Sequence, residues 1–336
     1  MTLLQRFWRR CHELLSRWHG AQVDATVEQR PARNLTRYGA GSAVTYSSLD
    51  DFLESNENNG ISTIEYGGRH IDLLVEDRGF TTTVVIFHTA LDPKDITTPV
   101  FVGHGLMEGV KANLVCCSDP VLELGVGLGW FAGHDGVLFQ NDFVQILEHV
   151  LSNMESHKEL VFYGASGGGF ASLYFSAQFP NSLAMPLNPQ TDIDAYSERA
   201  VEEYCLPAWG VRRGLEAPVT TNLIPLYSGN FQNYVFYLQN LGDRTHINKQ
   251  LIPMLRNVTN SNRILLYLGE WGLGHRAPKT DIQRPLLQAV VAVDGDWEKL
   301  REIFPLHEAT APEYLKALGT DYTLRVKRRA HTEGDQ

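Results

Sequence analysis

The stretch ELVFYGASGGGFASLYFSAQF, residues 159–179, decides the fold. It opens as a near-continuous apolar run, the composition of a strand covered on both faces. From Gly167 onward it is small and apolar and reads as a helix. Between the two, Gly164-Ala165-Ser166-Gly167-Gly168 satisfies G-x-S-x-G in the strand–turn–helix setting that gives the pattern meaning. The glycines have a steric reason. A serine on so sharp a turn brings the strand and the helix too close for side chains two positions away. The turn lifts the serine oxygen above the sheet edge and leaves the N–H of Gly167 at a helix N-terminus, where the dipole favours negative charge. A phosphate-binding loop would need Gly-Lys-Ser/Thr, which is absent. A tightly packed turn without chemistry is the other reading of the same residues.

Outward from this stretch, apolar runs and helical patterns alternate. TIEYGGRHIDLLV (63–75) reads as a hairpin turning at Gly67-Gly68. TTTVVIFH (81–88) and ANLVCCSDP (112–120) are buried strands, and NDFVQILEHVLSNM (141–154) places Phe143, Ile146, Leu147 and Val150 on one helical side. SLAMPLN (182–188), NYVFYLQN (233–240) and RILLYLGE (263–270) continue the strand series. Such alternation predicts an α/β fold with a mostly parallel central sheet and helices on both faces. Residues 191–231 are too long for a bare connection and are expected to form an inserted helical cap.

A serine hydroxyl is a weak nucleophile and needs a base oriented by a third group. In this strand logic an acid and then a histidine follow the serine along the chain. Asp243 directly follows the run NYVFYLQN, and His275 lies in a glycine-rich loop after RILLYLGE. Asp192 and Asp194 compete for the role of acid, while Asp119, ahead of the serine, is read as structural or substrate-facing. A second oxyanion donor beside the N–H of Gly167 is expected from Thr89 or Ala90, after the strand ending at His88. His88, His104 and Trp271 are candidate substrate contacts. Trp271, like Trp209 in the cap, has the ring to stack on a sugar or simply to pack. No metal or organic cofactor is implied.

The chain's 336 residues carry 43% hydrophobic and 20% charged residues, the balance of a globular protein. Its net charge of −10 argues against a nucleic-acid partner. No apolar run is long enough to span a bilayer. Cys11, Cys116, Cys117 and Cys205 form no C-x-x-C pair, which disfavours a disulfide framework and fits a reducing, cytoplasmic setting. Residues 1–20 read as an amphipathic helix whose Trp, Phe and Arg content suits peripheral docking on a membrane or a partner, with packing on its own domain as the alternative. Residues 21–47 read as a linker, 48–325 as the main domain and 326–336 as a flexible tail. The oligomeric state is not legible.

On Gly164-Ala165-Ser166-Gly167-Gly168, Asp243 and His275, the chain resembles the α/β-hydrolase superfamily over residues 60–300. The resemblance implies Ser166 as nucleophile, His275 as base and Asp243 as its orienting acid. It departs from the superfamily where Thr89 follows His88 in place of the usual glycine. GASGGGFASLYFSAQFP, NPQTDI and YLQNLGD more loosely resemble a bacterial subgroup associated with cell-surface glycopolymer production, itself similar to the acetyltransferase component of the accessory Sec system. The expected function is cleavage of a small-molecule or glycan carboxylic ester through an acyl-enzyme. The alternatives are O-acyl transfer to a cell-surface glycan or glycosylated protein, and a non-catalytic scaffold of the same fold.

Overall fold

The computed structural model describes residues 31–38, 43–56, 59–135, 137–215, 219–310 and 312–333. The amphipathic helix expected over residues 1–20 lies outside them. Nine strands form the central sheet: β1 (Ala43–Tyr46), β2 (Gly60–Tyr66), β3 (Arg69–Glu76), β4 (Thr82–Phe87), β5 (Asn113–Ser118), β6 (Glu159–Ala165), β7 (Leu183–Leu187), β8 (Tyr234–Asn240) and β9 (Ile264–Gly269). Their order is β9-β8-β7-β6-β4-β5-β3-β2-β1. From β9 to β5 every pairing is parallel, and β3 alone runs antiparallel to both of its neighbours. The hairpin between β2 and β3 turns where expected, with Gly67 and Gly68 both at positive φ.

Alternation along the strands sorts the core into two layers. Val85, Phe87, Phe162 and Tyr237 face one way, onto helices α1 (Phe139–Ser152) and α2 (Gly167–Ser176). Val84, Ile86, Val161, Phe236 and Leu238 face the other way. There α4 (Thr280–Ala292) contributes Leu286, Leu287 and Val290. The mostly parallel sheet with helices on both faces is therefore as the sequence predicts. After β4 the chain steps outward to β5, then crosses back to place β6 on the other side of β4. That reversal opens a crevice at the carboxyl ends of β4 and β6, where ligands bind in open α/β sheets.

Two expectations about boundaries change. Residues 43–46, assigned to a linker, form the edge strand β1, and Ala32–Arg33 pairs with Thr97–Thr98. Arg33 anchors that segment by pairing with Asp72 at 2.8 Å and Glu123 at 2.6 Å. The tail after 325 instead continues α5 (Pro312–Glu333). The 191–231 segment is helical, with α3 (Glu198–Trp209) and a short turn at Ile224–Tyr227. It packs tightly, because Tyr204 donates to the carbonyl of Gly133 at 2.8 Å and the Trp209 indole donates to Tyr204 at 2.8 Å. Trp209 is thus committed to packing. Among the described residues, no helix is long and apolar enough to cross a membrane.

Candidate active site

Ser166 sits between β6 and α2 at φ 54°, ψ −116°. A side chain bearing a Cβ pays for positive φ, so this is stored strain at a point where the backbone turns. The flanking glycines show why nothing larger fits. A Cβ on Gly164 would lie 2.2 Å from the carbonyl oxygen of Gly168, and one on Gly168 would lie 2.6 Å from the carbonyl oxygens of Phe87 and His88. The turn is a backbone-to-backbone contact. Gly167 is closed off by Leu128, whose Cδ1 would be 2.3 Å from an added Cβ.

Asp243 caps the short turn Arg244–His246, its Oδ1 accepting the His246 N–H at 3.1 Å. Its other oxygen, Oδ2, meets His275 Nδ1 at 2.6 Å. Burial alone would raise the Asp243 carboxyl, but the contacts with His246 and His275 win and hold it well below the usual carboxylate range. Asp192 does not compete. Its oxygens accept from Asp194 N–H and from Asn222 at 3.0 Å each, and it touches no histidine.

His275 hangs in a loop held chiefly by Asn240. Asn240, at the end of β8, accepts from the N–H groups of Gly242 and Trp271 and donates to the carbonyls of Gly272 and Gly274. Asn188 ties the far side of the same loop through the carbonyl of Arg276 at 2.8 Å. Beside this loop opens a cavity of about 420 Å³, lined among others by Tyr196, Arg244, His246, His275, Thr323 and Lys327.

Three residues of this site escaped sequence reasoning. His246 lies parallel to His275, ring centroids 3.9 Å apart, with its Nδ1 2.9 Å from the same Asp243 oxygen but out of line for a hydrogen bond. Burial lowers the His246 pKa from its ordinary value and keeps the ring neutral. Gln190 Nε2 lies 2.8 Å from His246 Nε2 and 3.1 Å from Ser166 Oγ. The Trp130 indole, which can only donate, reaches Gln190 Oε1 at 3.0 Å and so fixes which way the amide points. In the described conformation Ser166 is therefore held by Gln190, with neither histidine within hydrogen-bond distance of it. The i, i+3 spacing of Asp243 and His246 was the one signal in the sequence; Gln190 and Trp130 gave none.

Asp243, His246 and His275 bring ligand-type atoms within 4.8 Å of one another. The 2.6 Å Nδ1–Oδ2 spacing is that of a shared proton, and near-parallel stacked rings do not converge their lone pairs on one centre. The group is a hydrogen-bonded cluster rather than a metal cradle.

The expected substrate contacts fare differently. His88 is buried, donating from Nδ1 to the Thr89 carbonyl and accepting the Asp119 N–H at Nε2, so it ties the end of β4 to the end of β5 and both ring nitrogens are taken up by backbone. Burial pushes it down to about 4. Asp119 is structural too, accepting from Val121 and Phe131 N–H, and burial pushes it up to about 6. His104 pairs with Glu76, which lies in register with the start of β5 at the sheet edge opposite Ser166, and is therefore no substrate contact. Trp271 lies over Gly269 and stacks on Tyr267, outside the cavity lining. Thr89 and Ala90 are exposed in the loop after β4, whose Phe87 and His88 carbonyls abut Gly168 at the start of α2.

No family model matches the sequence, and no curated protein does. Among solved structures, the capsule O-acetyltransferase of Neisseria meningitidis serogroup A is similar at a TM-score of 0.50 and 15% identity, covering 73% of this chain and 99% of its own. A putative esterase from Staphylococcus aureus aligns at 0.47 and 11%, covering 70% of this chain and 84% of its own. An alpha-beta serine hydrolase homologue from Coxiella burnetii aligns at 0.43 and 13%, covering 70% and 98%. At such identities the likeness is one of fold. With its strand order, its antiparallel β3 and the serine elbow at the carboxyl end of β6, this chain has the α/β-hydrolase fold.

Proposed function

We propose that the protein is a serine-dependent acyl-transfer enzyme acting on a carboxylic ester. The supporting observation is the elbow serine at φ 54° on the same sheet edge as an Asp243–His275 pair at 2.6 Å. In the reaction Ser166 Oγ attacks the ester carbonyl and His275 Nε2 takes its proton. The Gly167 N–H, joined by that of Thr89 or Ala90, holds the oxyanion, each donor contributing roughly 3–4 kcal/mol in the transition state. The imidazolium returns the proton to the leaving alkoxide, and Asp243 steadies it meanwhile. Water then releases the acyl group. Substrate must bring His275 onto Ser166, a tightening common when a free site becomes a Michaelis complex.

A second reading replaces water with a hydroxyl of a cell-surface glycan or glycosylated protein, as in the capsule O-acetyltransferase that shares the fold. The open cavity at His275 supports it, because an acceptor can approach the base from the solvent side. A short chromogenic ester and a serine-reactive phosphonate test the reading. The native protein should turn over the ester and be labelled, and Ser166→Ala should do neither. Added sugar acceptors that gain the acyl group would favour transfer over hydrolysis. A folded native protein that shows neither turnover nor labelling would point to a scaffold instead.

A further inference from the structure

In a serine triad the nucleophile and the acid communicate through the base alone. Here a second route joins them on the opposite side. From Ser166 Oγ it runs 3.1 Å to Gln190 Nε2, then 2.8 Å to His246 Nε2, and His246 Nδ1 lies 2.9 Å from Asp243 Oδ2. Every member is buried, with Gln190 at 0%, Trp130 at 1%, and His246 and Asp243 at 2% exposure.

The donor directions on this route are forced. The Trp130 indole has only a hydrogen to offer, so the Gln190 oxygen faces it and the NH₂ faces Ser166 and His246. His246 Nε2 must then accept, which puts its proton on Nδ1, where it meets the Asp243 carboxylate by close electrostatic approach at 2.9 Å rather than by an aligned hydrogen bond. The amide's two hydrogens are thereby divided between the nucleophile and the inner imidazole. The Ser166 hydroxyl hydrogen is held only by a long 3.5 Å contact to Gln190 Oε1, so it can turn to a base, and the donor on Oγ favours negative charge as it develops on that oxygen.

We propose that Gln190 and His246 form a positioning relay for Ser166, fixing the nucleophile's oxygen relative to the Asp243 carboxylate that also orients His275. The relay rests on the serine acyl-transfer reading above. His246 acts through Gln190 and Asp243 and meets no reacting atom. Its stacked ring also sets the height of His275 above the carboxylate, and the relay is complete before substrate arrives.

Two substitutions separate the relay from simple packing. Gln190→Met keeps the volume and removes both donors. His246→Asn keeps a donor at the position of Nδ1, toward Asp243, and removes the acceptor for Gln190. The readouts are the second-order rate of phosphonate labelling of Ser166, kcat and KM for a short chromogenic ester, and the thermal midpoint. Each single variant should lose roughly 10- to 100-fold in labelling rate and kcat with KM little changed. The double variant should fall no further than the worse single, because both break one relay. If Gln190→Met does not fold, Trp130→Phe removes the donor that orients the amide and takes its place. Losses that multiply in the double variant, or His246→Asn at the native rate, would overturn the relay while the native enzyme remained active. A native protein inert to both ester and phosphonate would instead overturn the acyl-transfer reading beneath it.

Discussion

His88 and Asp119 make the fold's response to acid a difference of two large effects. Unfolded, His88 binds its proton near 6.5, whereas folded it does so only near 4. Between those values the unfolded chain holds more protons, so this residue's contribution to stability is complete above pH 6.5 and is lost as the pH falls toward 4. The span of about 2.5 pH units is worth about 3 kcal/mol at 1.36 kcal/mol per unit. Asp119 runs the other way. Its carboxyl titrates near 3.8 unfolded and near 6 folded. The folded state therefore holds the extra proton in between, and stability is lost as the pH rises from about 4 to 6, again by about 3 kcal/mol. The two slopes nearly cancel in the native protein. His88→Gln removes one of them, and its side-chain oxygen can still accept from the Asp119 N–H. The variant should lose about 3 kcal/mol relative to the native protein on going from pH 4 to 7. Urea unfolding followed by circular dichroism at half-unit pH steps reads this directly, because every other titrating group is common to both proteins and drops out of the difference. Parallel stability curves for His88→Gln and the native chain would refute the argument.

Other outcomes follow from the site. Asp243→Asn should lower kcat by about four orders of magnitude, while Asp192→Asn should leave it nearly unchanged, in a side-by-side ester assay. Asn240→Leu removes three hydrogen bonds from the loop that carries His275 and a fourth from Gly242 beside Asp243, and should lower kcat by about 100-fold with KM little altered, read by steady-state kinetics. Gly164→Ala forces a carbon to 2.2 Å from a backbone oxygen that has nowhere to go, and should destabilise the fold by at least about 3 kcal/mol in thermal unfolding. Cys116 and Cys117 are buried and their thiols are pushed up by burial, so an aromatic disulfide reagent should label them only once denaturant is added.

The backbone of this reading was legible because its signals are local. A G-x-S-x-G turn between an apolar run and a small-residue helix announces itself, and Asp243 and His275 each follow a strand whose apolar run ends abruptly. What escaped was long-range. Gln190 reaches Ser166 across 24 positions and Trp130 reaches Gln190 across 60, contacts that only the folded chain creates. His104 misled because adjacency in sequence to an apolar strand does not say at which sheet edge a loop emerges. Trp271 misled because an aromatic beside a histidine looks like a substrate platform until its ring is seen lying on Gly269. The boundary errors were local readings overruled by tertiary partners. Residues 43–46 follow Gly39 and Gly41, and 326–333 are mostly polar, so both read as unstructured, yet β2 offers the first an open pairing edge, and buried residues such as Leu315 and Tyr322 anchor the helix that carries the second.

The last helix has a further consequence. Its Tyr322 hydroxyl meets the Gly272 N–H at 3.3 Å, and its Thr323 and Lys327 wall one side of the chamber beside His275. A ribosome that has already delivered serine, aspartate and histidine has not yet finished the candidate site. Until the stretch beyond residue 312 emerges and docks, the histidine's loop lacks a flank, so premature termination there would yield the complete nine-stranded sheet with the cavity beside His275 open on one side.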